Sequence, residues 1–417
     1  MTPLSDDLLA PEVLANPYPL FRQLSERDPV HWSARWGGWI LTRYADVSAA
    51  LTDRRLSSDA FTPFRERLQA PERERWSMIF RLLAPSMVYR DPPEHTRLRT
   101  LVTKVFTRAV IERARPRIQP IADELIDRKI EQGRMDLIHD FAYPLPVTVI
   151  AEVVGADPED GDRIKNWSDD IATLMLGAVD TPDRHDRANR ALGEMADYFR
   201  EIVRERRRAP RDDVASALVA VHDRDERLTE DELVGMCALM IFAAHETTTN
   251  VIANGMLALL DHPSERARLE AALDGDDGGA TLTASAVEEM LRFDGPMKAI
   301  SRVAAAPLDL GGRRVEAGQR VLCVLGAANR DPARFPDPDR FEVARRDNGH
   351  IAFGYGIHYC LGAPLARVEA QISVASLLRR LRGLRLAAPR DALDWHEALL
   401  VRGVRSMPVE FAPGHRV

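Results

Sequence analysis

Thr229-Glu230-Asp231-Glu232 opens the stretch that most constrains this chain, because a hydroxyl and an acid three residues apart form a helix-capping box and no proline follows until Pro263. Roughly thirty residues at about 1.5 Å each give a rod on the order of 45–50 Å, long enough to cross the whole molecule. Most of it is apolar all round, so it must be buried. Inside it sit Ala243-Ala244-His245-Glu246-Thr247-Thr248-Thr249. An acid and a run of hydroxyls pack poorly in a buried helix and need a reason. A zinc site is excluded, since HExxH requires histidine where Thr249 stands. Capping of a helix carbonyl by Thr247 is the structural alternative to a chemical role.

The second feature is Phe353-Gly354-Tyr355-Gly356-Ile357-His358-Tyr359-Cys360-Leu361-Gly362. Gly354 and Gly356 can take positive φ and let the main chain approach a flat ligand that a Cβ would push away. From Cys360 onward, Leu361, Leu365, Val368, Ile372 and Leu377 approximate a helical stripe, which puts the thiol near a helix N-terminus. Partial positive charge there favours the thiolate, a soft anionic metal ligand. A lone cysteine is more often a small buried hydrophobe. A dinucleotide loop is excluded, because GxGxxG from Gly354 would need glycine at Tyr359.

The phenylalanine, the two glycines, the histidine, the cysteine and the glycine two places later resemble the haem-binding loop of the cytochrome P-450 family, the haem-thiolate monooxygenases. The segment around Glu246 and Thr247 resembles that family's oxygen-activating helix, with its acid-alcohol pair. Where the family usually has glycine this chain has Ala244, whose methyl group narrows the space for dioxygen or alters a local kink.

Composition decides compartment and partners. Length and 45% hydrophobic residues allow one large domain or two to three ordinary ones. Net charge is −7 with both signs interspersed, which suggests neither nucleic acid nor an acidic membrane surface as principal partner. Cys237, Cys323 and Cys360 are few, distant and odd in number, against a disulfide framework and for a reducing cytosol. Residues 1–19 carry acids and four prolines without an apolar signal core. The longest apolar run, Leu233 to Ala244, is too short to span a bilayer. A soluble, cytoplasmic protein is expected.

In chain order, Pro29–Trp32 and Gly38–Thr42 read as strands and Tyr44–Leu51 as a helix. Ser57–Tyr89 has no clean period, with Pro63, Pro71 and Pro85 interrupting it. Asp91-Pro92-Pro93-Glu94 opens a helix on which His95 and Arg99 lie one turn apart. Residues 109–131 and 160–222 are helix-rich, with breaks at Gly133, Gly155, Gly177 and Pro210, and Arg204–Arg208 reads as a solvated face. Ser285-Ala286-Val287-Glu288 reads as a capping box starting a helix that carries Glu289 and Arg292, by itself a common surface pair. Leu308 to Val324 reads as a hairpin around Gly311-Gly312 plus a further strand.

The resemblance implies a single, mainly α domain over residues 1–417 with a smaller β portion, a flexible N-terminus of about 1–15 and a substrate lid at about 57–90. It implies haem b (iron protoporphyrin IX) ligated by Cys360, with His95, Arg99, Arg302 and His358 on the propionates and Phe353, Gly354 and Gly362 shaping the loop. Glu246 and Thr247 would move protons to bound O2. Glu289, Arg292 and Arg340 would form a structural network behind the loop. Met87, Met240, Ala243, Ala244, Met297, Lys298, Ala299, Ile300 and Leu400 would line the pocket for an apolar small molecule. Lys298 either pairs with a substrate carboxylate or points its ammonium to water. The implied activity is hydroxylation or epoxidation by a monomer, fed by a separate ferredoxin or flavodoxin and its reductase. Arg108, Arg113 and Arg367 are the expected docking cations. A peroxide-driven peroxygenase and a non-catalytic haem sensor are the alternatives.

Overall fold

In the computed structural model, which describes residues 4–175, 183–225 and 228–416, the long helix runs Glu230–Asp261, 32 residues. Its start is the expected reciprocal cap. The Glu232 N–H donates to Thr229 Oγ1 (3.2 Å) and the Thr229 N–H to Glu232 Oε2 (2.8 Å). Pro263 ends it by beginning the next helix, Pro263–Leu273. Two glycines let neighbours reach its backbone: a Cβ at Gly235 would strike the Leu82 carbonyl, and one at Gly255 the Met290 sulfur.

The described residues gather in two compact units. The first comprises the chain up to Leu56, Arg115–Leu145 and the chain from Glu246 onward. Its main sheet has the strand order Val30–Ser33, Gly38–Leu41, Arg320–Cys323, Ile300–Ala304 and Leu56–Ser57. Gly38–Leu41 and Arg320–Cys323 pair in parallel, and Ile300–Ala304 joins antiparallel with Arg302 opposite Val321. Alternation sends side chains to two cores. Leu41, Val321 and Cys323 pack with Val47 and Leu51, whereas Ile40 and Leu322 pack with Leu20, Phe21 and Leu24. The hairpin Leu308–Leu310 with Arg313–Val315 turns at Gly311 and Gly312, both at positive φ, as expected.

Residues 8–15 are not loose. Leu8, Val13 and Leu14 are buried, and Arg402 donates to the carbonyls of Leu14 and Ala15. The same guanidinium bonds Asp294 Oδ1 (2.7 Å) and lies 3.7 Å from the Trp395 ring centre. That converts the first helix, Pro11–Ala15, into part of the core.

The second unit comprises Ser57–Ala114 and Pro146–His245 and is helical. Residues 57–90 are more regular than their prolines suggest: helices Phe61–Arg67 and Ala70–Arg75, a π turn Ile79–Leu83 and a 3-10 turn Met87–Tyr89. Aromatic contacts among Phe61, Phe64, Trp76, Phe80 and Tyr89, edge-on except for the stacked Trp76–Phe80 pair, supply the order that periodicity did not announce. Arg204, Glu205, Arg207 and Arg208 form the expected solvated face, and Arg206 is the exception. It is 3% exposed and bonds Asp213 Oδ2 (2.6 Å) and the Gly155 carbonyl (2.8 Å). Gly177 lies outside the described residues.

Two expectations about helix Ala280–Asp294 are corrected. It starts five residues before Ser285, because the Asp277 carboxylate takes the N–H groups of Gly279 (2.9 Å) and Thr281 (3.2 Å). The second arginine on Glu289 is Arg345, not Arg340. Arg345 Nε lies 3.1 Å from both Glu289 oxygens, while Arg340 is exposed and contributes only its carbonyl, to Arg292 (3.1 Å) and Arg345 (2.8 Å).

Candidate haem site

Cys360 is exposed and unbridged, two residues before Gly362, the N-cap of helix Ala363–Arg380. Burial pushes the other two thiols, Cys237 and Cys323, up to about 12, so neither offers a thiolate near neutrality. The cysteine loop is closed by its own backbone. The Gly354 N–H donates to the Ile351 carbonyl (2.9 Å) and the Cys360 N–H to the Phe353 carbonyl (3.0 Å). Gly354 and Gly356 both adopt φ of 75°, so the permissive residue is required at each. A Cβ at Gly354 would also touch Ile300, and one at Gly356 would crowd Thr52 and the Leu51 carbonyl.

Behind the loop, Glu289 and Arg292 have fully buried side chains. Arg292 Nε and Nη2 each bond Glu289 at 2.8 Å, and Nη1 donates to the Asn329 carbonyl at 3.0 Å. Asn329 Oδ1 in turn accepts the Ile351 N–H (2.8 Å), which fixes where the cysteine loop begins. A sequence pair that looked like surface decoration is thus an interior brace.

The long helix presents a selective opening. Its middle is buried except along Met240, Ala243, Ala244, Glu246 and Thr247. Met240, Ala243, Ala244 and Thr247 follow i, i+3, i+4, i+7 spacing, one continuous stripe. Glu246 adjoins it and accepts from Asn250 Nδ2 at 3.4 Å. Beneath, Asn254 Nδ2 bonds the carbonyls of Asp294 and Arg402, each at 3.1 Å. An exposed thiol on a glycine loop fits the ligand of a flat, iron-bearing group such as haem, and the stripe on the long helix leaves small and apolar surface uncovered.

Of the expected anion-binding residues, Arg302 is on strand Ile300–Ala304 and 6% exposed, and His358 ends the 3-10 turn Gly356–His358. In the second unit His95 is 3% exposed and Arg99 half-buried, one turn apart on helix Glu94–Val105. The pocket expectation changes in three places. Met297, Ile300 and Leu400 keep accessible surface, but Ala299 is 2% exposed in the core with Phe21 and Leu322. Lys298 is also buried, lining a small cavity with Leu8, Phe21, Leu322, Val324 and Leu399, so its ammonium does not point to water. Burial first, and Arg402 next, lower its pKa to about 8. Met87 is buried as well, 8% exposed.

Sequence reasoning missed two groups. Glu369 is 2% exposed and hydrogen-bonded to Thr248, and burial drives its carboxyl well above the usual carboxylate range. Glu288 takes a two-toothed bond from Arg367, Nε at 2.7 Å and Nη2 at 2.9 Å. Arg367 is therefore ion-paired, with 26% of its side chain exposed. Each residue sits at a helix position whose neighbours come from distant segments, so no local spacing marks either.

Known proteins agree with this geometry. The family model described as Cytochrome P450 matches residues 77–403. Cytochrome P450 monooxygenase PikC of Streptomyces venezuelae is 40% identical over 416 residues, 97% of this chain and 94% of that protein. Vitamin D(3) 25-hydroxylase of Pseudonocardia autotrophica is 40% identical over 411 residues, 98% of this chain and 96% of its own length. The crystal structure of CalO2 superposes with a TM-score of 0.90 at 31% identity, covering 99% of this chain and all of that one (100%). None of the described helices is long and apolar enough to cross a membrane. The chain belongs to the cytochrome P450 family and is a haem-dependent monooxygenase.

Proposed function

We propose that Cys360 supplies the thiolate to the iron of protoporphyrin IX and that the enzyme hydroxylates or epoxidises an apolar small molecule. The carrying observation is the exposed Cys360 thiol on the positive-φ glycine loop ahead of helix Ala363–Arg380. When bound, thiolate-ligated haem activates O2 and delivers one oxygen atom to carbon. The chain's own residues do the rest. Gly354 and Gly362 keep side chains away from the sulfur face, and Phe353 shields it from water. Arg302, His358, His95 and Arg99 pair with carboxylates of the cofactor. Glu246 holds a proton and Thr247 passes it on, both on the accessible stripe of the long helix. Ala243 and Ala244 leave room above that stripe, Ala244 less than glycine would.

Substrate selection falls to Met240, Met297, Ile300 and Leu400, all with accessible apolar surface. A relative named for vitamin D(3) supports an apolar substrate of similar size class. Electrons come from a separate iron–sulfur or flavin protein. Arg108, 92% exposed and 3.7 Å from Glu112, and Arg113, 54% exposed and 3.1 Å from Asp212, are surface cations that meet an acidic donor. Dithionite reduction under carbon monoxide tests the core of this reading. A thiolate-type band that Cys360→His converts to an imidazole-type band is the expected result; an imidazole-type band from the native protein overturns it.

A further inference from the structure

Glu288 precedes the sealed Glu289 on the same helix, yet its carboxylate is held by Arg367 and His350 and not by the buried arginines. Arg367 grips it with the two-toothed bond already described, and His350 Nε2 lies 3.1 Å from Glu288 Oε2. The tautomer follows from the other ring nitrogen. His350 Nδ1 accepts the Ala352 N–H (3.2 Å), so Nε2 carries the hydrogen given to Glu288.

Held this way, Arg367 places its guanidinium carbon 4.6 Å from the centre of the Phe353 ring and donates Nη1 to the Tyr359 hydroxyl at 3.2 Å. Phe353 is also the residue whose carbonyl receives the Cys360 N–H. Ring, hydroxyl and cysteine thus belong to one bonded unit, and the cation touches it directly. Glu288 reaches the loop only through Arg367 and His350. An ordinary surface ion pair would contribute little and would not need a planar fork laid on an aromatic face.

We propose that Arg367 is a positioning residue for the iron–thiolate centre, holding Phe353 beside Cys360, and that the Glu288–Arg367 charge balance sets the reduction potential of the haem. The proposal rests on Cys360 being the haem ligand. A cation near the sulfur stabilises the more electron-rich, reduced state, and an uncompensated carboxylate disfavours it. Neutralising Glu288 leaves the cation unopposed and moves the potential up. Neutralising Arg367 leaves the carboxylate and moves it down. A pair that merely braced the loop would shift both variants the same way, because either change loosens the same packing.

The test is a redox titration of haem-loaded native protein, Glu288→Gln, Arg367→Gln and the double variant, with the reduced carbon-monoxide spectrum recorded for each. Expected are a higher potential for Glu288→Gln, a lower one for Arg367→Gln and a value near native for the neutral double. Shifts of one sign, or no shift in either single variant, overturn the proposal. Should Arg367→Gln fail to take up haem, Glu288→Gln decides alone, and a potential at or below native overturns it. A thiolate-type band with same-sign shifts removes only this proposal, whereas an imidazole-type band in the native protein removes the ligand assignment beneath it.

Discussion

Glu288 and Glu289 are adjacent on one helix and face opposite worlds. Glu289 is sealed, with a fully buried side chain, and receives Arg292, Arg345 (3.1 Å), the Glu342 N–H (2.9 Å) and Asn348 (3.1 Å). Glu288 keeps 28% of its side chain in contact with solvent and holds Arg367 and His350. In the first cluster every donor is a scaffold group, so its work is to hold the fold. In the second, the cation leans on Phe353 of the cysteine loop, so its work includes electrostatics at the site. Two neighbouring glutamates with similar arginine partners thus differ by what the far side of the arginine touches.

The comparison breaks hardest at the sealed end. Glu289→Gln leaves Arg292 buried without a counter-charge and Arg345 with only Glu342, 4.0 Å away, and a loss of about 3–5 kcal/mol is expected, read as a large fall in Tm and in soluble haem-loaded yield. A near-native Tm would mean that water reaches the cluster. Lys298 sharpens the point, because among the described residues no carboxylate pairs with this buried ammonium. Its folded pKa, about 8, lies below the unfolded value, so the unfolded chain binds more protons and burial of the charge destabilises below pH 8. Lys298→Met should therefore stabilise at pH 7 by about 2–3 kcal/mol. The gain should shrink above pH 8 and vanish once free lysine also loses its proton; denaturant melts across that range check it.

At the open end the effect is smaller and has the opposite pH sense. Hydrogen bonds from His350 and Arg367 outweigh burial and hold the Glu288 carboxyl down, at about 2. Its contribution is present above the ordinary carboxylate pKa and disappears as pH falls toward 2. Glu288→Gln should cost about 1–2 kcal/mol at pH 7, screened by its exposure, and nothing near pH 2, as urea titrations at both pH values would show. Smallest of all is Glu369→Gln. Burial pushes this carboxyl well above the usual carboxylate range and so favours its neutral form; the neutral isostere should therefore change stability by less than about 1 kcal/mol, while removing the loss the native protein suffers as pH rises through the raised pKa.

Legibility followed distance along the chain. The Thr229–Glu232 cap, the hairpin at Gly311-Gly312 and the glycine loop before Cys360 could be read because their partners are within a few residues. Arg345 could not be chosen over Arg340, since both are near Glu289 only after 50 residues of chain have folded back. Lys298 and Ala299 read as pocket-lining until the N-terminal segment, through Leu8 and Phe21, claimed their side of the sheet. Residues 57–90 concealed their helices because aromatic packing, not period, holds them.

By itself the chain of residues determined the buried rod, the cysteine on its glycine turn and the acid-alcohol pair, since capping, positive φ and helical spacing are local properties. Which arginine closes on Glu289, which way Glu288 faces and where Lys298 is stowed were decided only in three dimensions. Those outcomes depend on desolvation and on donors brought from segments tens to hundreds of residues away, and no local pattern encodes which of several arginines will arrive first at a buried carboxylate.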